Sequence, residues 1–329
     1  MKTILKIISF LTGCCFVLLL AVGSYSKWFS VFMNDVPSPY RYGDLYLSSG
    51  MPGYRIKLDQ SKLTSSIIDQ NKNSTLTIIG DSYLDNLDPS FFYTADYHFI
   101  HWDRLPDTIP ALDSTKKNIL IIESTERYIR WRVKQNNLLA IGEKAKPNAQ
   151  EVSGASIELQ AEDNLQYMLT HLDWELPFKE LKTSIYLNYF DKFSPLVAKP
   201  DGSGRLYLNE TVDPENNASS YNPVKDDEIK SIVENINRIS ADLSALGFDV
   251  YISIIPNAAS IYKNWDHPYN HLIERIEQHP DVKFKYIDIF QSLKDEKNSV
   301  FYTNDSHWNN FGKMMWLVKT NKLLKEVVR

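Results

Sequence analysis

Five short apolar runs stand out along the chain, each of a length that suits a buried β-strand. They lie at Leu76–Ile79, Tyr97–His101, Asn118–Ile122, Asp249–Ile255 and Phe284–Phe290. None of them alternates cleanly between polar and apolar positions, which is typical of parallel strands buried on both faces. We therefore expect one central sheet that is covered on both sides.

Helical spacing of apolar residues occurs between and after these runs. It is clearest over residues 226–246, where apolar side chains recur every three or four positions and Gly247 follows as a stop signal. A shorter helix is predicted at His271–His279, and an amphipathic helix at Phe311–Val328 closes the chain. The alternation of strands and helices predicts an α/β fold, a three-layer α/β/α sandwich with a mainly parallel sheet.

The segment from about residue 140 to 222 interrupts this alternation. It is polar and loop-like near both ends, with a predicted helix at about Asp163–Trp174 whose extension Pro177 limits. We interpret the segment as an insertion between core strands that shapes a substrate cleft. A disordered surface loop is the alternative.

The N-terminus has the pattern of a membrane anchor. Lys2 and Lys6 precede the uncharged run Ile7–Gly23, which is roughly long enough to cross a bilayer, and Trp28 follows it closely. Positive charge before the run and an aromatic residue after it favour a single-pass helix with its N-terminus in the cytoplasm. Two alternatives stay open: a cleaved signal peptide that ends near Ala21–Gly23, and a lipoprotein signal.

This pattern predicts three regions. Residues 1–27 form the anchor, residues 28–70 a linker or cap, and residues 71–329 the main domain with its insertion. The predicted location is the bacterial inner membrane, with the main domain on the extracytoplasmic side.

The amino-acid composition excludes several classes of partner and of chemistry. The chain of 329 residues has a mild net charge of −5 and no lysine or arginine stripe, so nucleic acid is not an expected partner. Its two cysteines, Cys14 and Cys15, both lie inside the predicted anchor. The main domain therefore has no disulfide, no thiolate zinc ligand and no thiol nucleophile.

A candidate nucleophile follows the first predicted strand. Gly80, Asp81 and Ser82 come directly after Ile79, so a buried strand would end in a turn that presents a serine. Taken alone, the triplet could equally be an ordinary polar turn.

Candidate partners for this serine lie near the other end of the chain. Asp305 and His307 precede the last helix, and the carboxyl ends of parallel strands open on one edge of a sheet. A serine hydroxyl needs a base within hydrogen-bond reach, and the base needs an orienting acceptor. His307 can be that base and Asp305 the acceptor, since residues two apart in an extended segment point the same way.

These motifs resemble a known superfamily. The "GDS" after the first strand and the "DSHWNNFG" before the final helix resemble the SGNH hydrolases, over roughly residues 70–130 and 245–329. The D-[ST]-H-W-N form is similar to the membrane-anchored or periplasmic branch that includes the alginate O-acetyltransferase proteins. Most members of the superfamily space the acid and the base as D-x-x-H, whereas here one residue separates them.

The resemblance implies a serine esterase or acyltransferase that acts on ester-linked acyl groups, often acetyl on a carbohydrate. The expected partners are a carbohydrate polymer or an acyl donor, with a membrane acyltransferase as a further candidate. No metal site and no organic cofactor is expected.

The chain departs from the family pattern at the oxyanion hole. It has no glycine between Gly80 and Gly142, and "IESTERYIR" replaces the usual G-x-N-D after the third strand. One donor would be the backbone N–H of Ser82, and we expect Arg127, held by Glu123 or Glu126, to be another. The further oxyanion or substrate candidates are Gly80, Asp81, Ser124, Thr125 and Asn309. The altered donor set also keeps a second function open: a non-catalytic SGNH-like scaffold in a polysaccharide modification or export complex.

Overall fold

The computed structural model describes most of the main domain. The described residues are 39–59, 70–85, 87–94, 96–104, 112–134, 176–262, 267–296 and 298–328, with Leu11, Cys14 and Leu63. Apart from Leu11 and Cys14, the predicted anchor lies outside them, as does the predicted helix Asp163–Trp174. Within these ranges, no helix is both long and apolar enough to cross a membrane.

Five strands and eight α-helices make up the described architecture. The strands are β1 (Ser74–Gly80), β2 (Asp96–His101), β3 (Lys117–Thr125), β4 (Phe248–Ile255) and β5 (Lys285–Tyr286). The helices are α1 (Asp44–Ser49), α2 (Glu126–Arg132), α3 (Leu176–Phe190), α4 (Asp226–Ala245), α5 (Ala258–Tyr262), α6 (Leu272–Glu277), α7 (Phe290–Asp295) and α8 (Asn310–Val327).

The strands form one sheet in the order β2–β1–β3–β4–β5, and every pairing is parallel. The prediction of an α/β fold with a parallel sheet is therefore confirmed. The strand order reverses between β1 and β3, so a crevice is expected at their carboxyl ends. Ser82 lies just beyond β1 at this position.

Alternate residues of each central strand enter two separate cores. Leu120 and Ile122 of β3 pack in a cluster that contains apolar residues of α2, α4 and α6. Ile119 and Ile121, which point to the opposite face, pack with residues of α7 and α8. Because both faces of the sheet are covered, residues that point to either face are apolar in the middle of β3, and this explains the continuous run in the sequence.

The fifth predicted strand is much shorter in the structure. Only Lys285 and Tyr286 are in β5, although Ile287 still donates its N–H to the carbonyl of Ile252, and Phe290 begins α7. Phe284, Ile287 and Ile289 are buried all the same. At this edge of the sheet the apolar residues are buried although most of them are outside the strand. The apolar pattern therefore predicted burial correctly but overestimated the length of the strand.

The described part of the predicted insertion is well packed. Helix α3, which the sequence analysis did not predict, starts at Leu176, and Pro177 is its second residue, where a missing N–H costs nothing. The irregular chain that follows buries Val197 and Leu206 against Leu45 of α1. Tyr207 and Tyr221 of the same stretch pack around Ala259 of α5. A disordered surface loop is therefore the wrong interpretation for residues 191–222.

Candidate active site

Ser82, His307 and Asp305 form a continuous chain of hydrogen bonds. The Ser82 Oγ lies 2.8 Å from the His307 Nε2, and the His307 Nδ1 lies 2.7 Å from the Asp305 Oδ1. A carboxylate only accepts, so the proton is on Nδ1, and Nε2 is left to accept from the serine hydroxyl. Ser82 is exposed, which leaves its hydroxyl accessible to a substrate.

The Asp305 carboxylate is held by three N–H groups. Oδ1 accepts from both the backbone N–H and the ring of His307, and Oδ2 accepts from the backbone N–H of Asp44 at 2.9 Å. Burial alone would raise the pKa of Asp305, but the hydrogen bond and charge of His307 outweigh it and hold that pKa below its usual value. Asp305 therefore stays ionised at neutral pH, as an orienting acceptor must.

Asp44 connects the segment that precedes the main domain to the loop of residues 304–307, which is called the acid–base loop below. Its carboxylate accepts from the backbone N–H of Ser306 at 2.7 Å and from the Ser306 hydroxyl. Burial and the nearby charge of Asp305 raise the pKa of Asp44. The side chain of Asn304 adds hydrogen bonds to the carbonyls of Tyr42 and Ile56. Residues 39–59 thus pack directly on the loop that carries the candidate base.

Gly43 allows this close packing. Its φ is +83°, and a Cβ atom would lie 2.3 Å from the carbonyl oxygen of Asn304, whereas ordinary contact begins at 3.4 Å. Gly53 has a similar φ of +86° but no neighbour within 4 Å of its notional Cβ. Both glycines therefore have a positive φ, but only at Gly43 would a Cβ atom clash with a neighbour.

We expect Gly43→Ala to impair both stability and activity. Both alanine variants lose about 1–3 kcal/mol because φ is positive at both positions, but only Gly43→Ala must move the acid–base loop by about 1 Å. A misplacement of that size can lower turnover about 10²-fold. Melting curves and ester turnover of Gly43→Ala and Gly53→Ala measure the difference. Equal turnover in the two variants would show that the clash does not reach the site.

The turn that presents Ser82 rests on buried charges. The backbone N–H of Asp81 donates to the Glu123 Oε2 at 2.8 Å, and the Asp81 carboxylate pairs with Arg132 at 3.0 Å. Asp81 Oδ1 also accepts from the backbone N–H of Tyr83. A Cβ on Gly80 would lie 2.9 Å from Glu123, so this position has no room for a larger side chain. Gly80 and Asp81 therefore shape and anchor the turn.

Burial and the neighbouring charge of Asp81 raise the pKa of Glu123 well above its usual value, and Arg132 opposes that shift. Glu123 and Glu126 were expected to hold Arg127, but the carboxylate beside Arg127 is Glu210, at 3.8 Å.

Arg127 lies behind Tyr83. Its Nη1 is 3.5 Å from the Tyr83 hydroxyl, and its guanidinium carbon is 5.5 Å from the centre of the Tyr83 ring. Tyr83 in turn donates to the carbonyl of Ser306, and its ring lies 4.8 Å from the ring of His307. Among the described residues, Arg127 thus contacts Tyr83, and Tyr83 contacts the candidate base His307.

The other candidate oxyanion donors have structural partners or are buried. Asn309 caps α8 by accepting from the N–H groups of Phe311 and Gly312, and its amide nitrogen donates to Ser299. Ser124 is buried and donates to the carbonyl of Thr125. Thr125 is also buried, and its hydroxyl has no described partner. The backbone N–H of Ser82 has no acceptor among the described residues, and so it is the candidate donor that is best placed for an incoming oxygen.

Glu126 supports the neighbouring loop instead. It is completely buried in the first turn of α2, where its Oε2 accepts from the backbone N–H of Asn257 at 2.9 Å and from the Ser260 hydroxyl. Burial raises its pKa from 4.5 to about 7, although both hydrogen bonds oppose the shift. This carboxyl therefore changes its charge in the neutral range.

The pKa of Glu126 predicts a pH-dependent stability. The pKa of Glu126 in the folded protein lies above its ordinary value. Its contribution to the free energy of unfolding is therefore fully present below about pH 4.5 and is lost as the pH rises through about 7. The shift corresponds to about 3 kcal/mol. Glu126→Gln should remove this loss, so its free energy of unfolding should fall less than that of the wild type.

Urea unfolding between about pH 5 and pH 8 measures the effect. Glu228→Gln is the matched control, because the hydrogen bond from Arg130 lowers the pKa of Glu228 and places its own transition below this range. If Glu126→Gln and the wild type change in parallel, Glu126 does not titrate there.

The same loop holds a group of possible metal ligands. Atoms of Asp44, Asp305 and His307 lie within 4.8 Å of one another. Hydrogen bonds among these residues and to Ser306 already use the atoms in question. The same residues form a hydrogen-bonded network with Ser306.

Three residues of this site escaped the sequence analysis. Asp44, Tyr83 and Arg132 come from three different segments, and no periodic pattern or spacing links them to Ser82. Only the directly adjacent Tyr83 could have been suggested by the motif.

Comparison with models of known protein families, with curated proteins and with solved structures gives no match.

Proposed function

We propose that this chain is a serine acyl-transfer enzyme of the SGNH type. The observation that carries the proposal is the serine–histidine–aspartate chain, with distances of 2.8 Å and 2.7 Å, between residues that lie 225 positions apart in the sequence. A packing histidine has no need of an exposed serine on one ring nitrogen and a buried carboxylate on the other. The flavodoxin-like strand order supports the proposal too, because Ser82 follows β1 at the reversal point of the sheet.

The proposed reaction has two steps. Ser82 Oγ attacks the acyl carbonyl carbon while His307 Nε2 takes the hydroxyl proton, and the carbonyl oxygen becomes an oxyanion near the Ser82 N–H. The C–O bond to the leaving group then breaks, and His307 returns the proton to the leaving oxygen. In the second step a sugar hydroxyl or water attacks the acyl-serine, with His307 again as base and then as acid.

The proposed substrate is an O-acylated polysaccharide of the bacterial envelope, or the acyl donor for one. This part of the proposal draws on the resemblance of the motifs and on the predicted membrane anchor. A sugar hydroxyl as acceptor makes the protein an O-acetyltransferase, and water makes it an acetylesterase. Mass analysis of envelope glycans with and without the protein separates the two, since deletion removes acetyl groups in the first case and adds them in the second.

Labelling with a fluorophosphonate probe tests the proposal. We expect the wild type to be labelled and Ser82→Ala to lose all labelling, because the probe reacts only with an activated serine. Ser231→Ala, at an exposed position on α4, is the matched control and should label normally. A wild type that is folded but never labels would favour the scaffold function, to which the altered oxyanion donors also point.

A further inference from the structure

Helix α3 exposes several apolar side chains and directs two polar ones to the protein. On the inner side, Glu180 accepts from the Tyr46 hydroxyl at 2.7 Å, and the Thr183 hydroxyl donates to the carbonyl of Ser49 at 2.7 Å. On the outer side, Leu181, Ile185 and Tyr189 follow one another at four-residue spacing and are 58%, 40% and 80% exposed. A helix on the surface of a soluble domain has the opposite arrangement.

Lysines flank this apolar face. Lys182 and Lys192 are exposed, and together with Lys179 they line a cleft of about 360 Å³ beside Tyr186. The exposed acid nearby, Asp191, is paired with Lys199 at 2.5 Å, and Glu180 faces inward toward Arg55. The outer surface therefore combines aromatic and aliphatic side chains with a net positive charge. Aromatic side chains and lysines also occur together at the interface of anionic bilayers.

A short segment of the sequence joins the predicted anchor to this part of the domain. Helix α3 packs on α1, which begins at Asp44, and the apolar run of the anchor ends at Gly23. The intervening residues 24–43 number 20, and an extended chain of that length spans at most roughly 70 Å. The bilayer is thus within reach of the side of the domain that carries α3.

We propose that the outer face of α3, formed by Leu181, Ile185 and Tyr189, lies on the surface of an anionic lipid bilayer. The apolar side chains enter the interface, and Lys182 and Lys192 contact acidic headgroups. This contact holds the main domain in a fixed orientation on the membrane. It rests on the predicted anchor and is independent of the proposed acyl transfer.

Depth-dependent fluorescence quenching tests the proposal on the full-length chain. The protein, with Cys14 and Cys15 replaced by serine, carries one dye at Tyr189→Cys or, as matched control, at Ser231→Cys on α4. Each form is reconstituted into vesicles with and without phosphatidylglycerol, and quenchers are attached to the lipid chains. We expect severalfold stronger quenching at position 189 than at 231, and a marked loss of it when Lys182→Glu and Lys192→Glu are combined.

Three results would overturn the proposal: equal quenching at both positions, no response to phosphatidylglycerol, or self-quenching between dyes at position 189, which would mean that a second copy covers the face. Co-flotation with the vesicles is recorded for every variant, so failure of the anchor is recognised separately. Fluorophosphonate labelling on the same samples keeps the outcome distinct from the proposed chemistry.

Discussion

Asp305→Asn should lower kcat/KM for ester turnover by about 10⁴ while the protein still folds, by analogy with the serine proteases. The carboxylate accepts from two N–H groups of His307 and one of Asp44. An amide has a single acceptor oxygen, so in either orientation one of these donors faces an NH₂ group. The negative charge that stabilises a protonated His307 is lost as well.

A graded series makes this prediction sharper. His307→Ala should cost at least as much as Asp305→Asn, because it removes the base itself. Asp44→Asn should cost less, since the Asp44 side chain contacts Ser306 and reaches the imidazole only indirectly. Thermal unfolding shows whether each variant is folded. Near-normal turnover by folded Asp305→Asn would remove Asp305 from the mechanism, and an equal loss in Asp44→Asn would assign the orienting role to Asp44.

Arg132→Met should lower the free energy of unfolding by about 3–5 kcal/mol, the usual cost of leaving a buried charge without its partner. The side chains of Arg132 and Asp81 are only 7% and 8% exposed, and Glu123 lies beside them. Methionine fills much of the same space, so the lower free energy of unfolding is due mainly to the lost charge and less to lost packing. Because Asp81 also holds the turn of Ser82, labelling by a fluorophosphonate should fall together with stability.

Two further variants separate charge from packing. Lys134→Met removes a lysine that is 57% exposed and 3.8 Å from Glu228, so it should cost no more than about 1 kcal/mol. Adding Asp81→Asn to Arg132→Met removes the stranded carboxylate and should restore part of the stability. Denaturant unfolding measures all three. If Arg132→Met unfolds like Lys134→Met, the buried pair does not stabilise the turn.

The sequence was most informative where one physical rule dominates. Strands that are buried on both faces must be apolar, so β1, β3 and β4 were visible as continuous runs. The topological rule that parallel strands share an edge then sufficed to predict that Ser82 would lie near His307. These inferences need no knowledge of which side chains touch.

The rest depended on contacts that leave no local pattern. Asp44 could not be found, because nothing in its neighbourhood indicates that it meets Ser306, which lies 262 positions away. The expectation for Arg127 came from chemical type alone, and the charge of Glu210 and the ring of Tyr83 decide where that side chain lies. Helix α3 escaped prediction for a physical reason as well, since its apolar residues lie on several sides and leave no clear helical periodicity in the sequence.

The distance along the chain between the parts of the site has a consequence for folding. The serine and its base are separated by 225 positions, and Asp44 and Ser306 by 262, so both contacts close very large loops. Such closures are slow and come after local structure has formed. Until then Ser82 is an ordinary alcohol with little reactivity, because a serine hydroxyl without its base is a poor nucleophile. An incompletely folded chain therefore has no activated serine, and the proposed acyl transfer requires that the first and last parts of the domain have met.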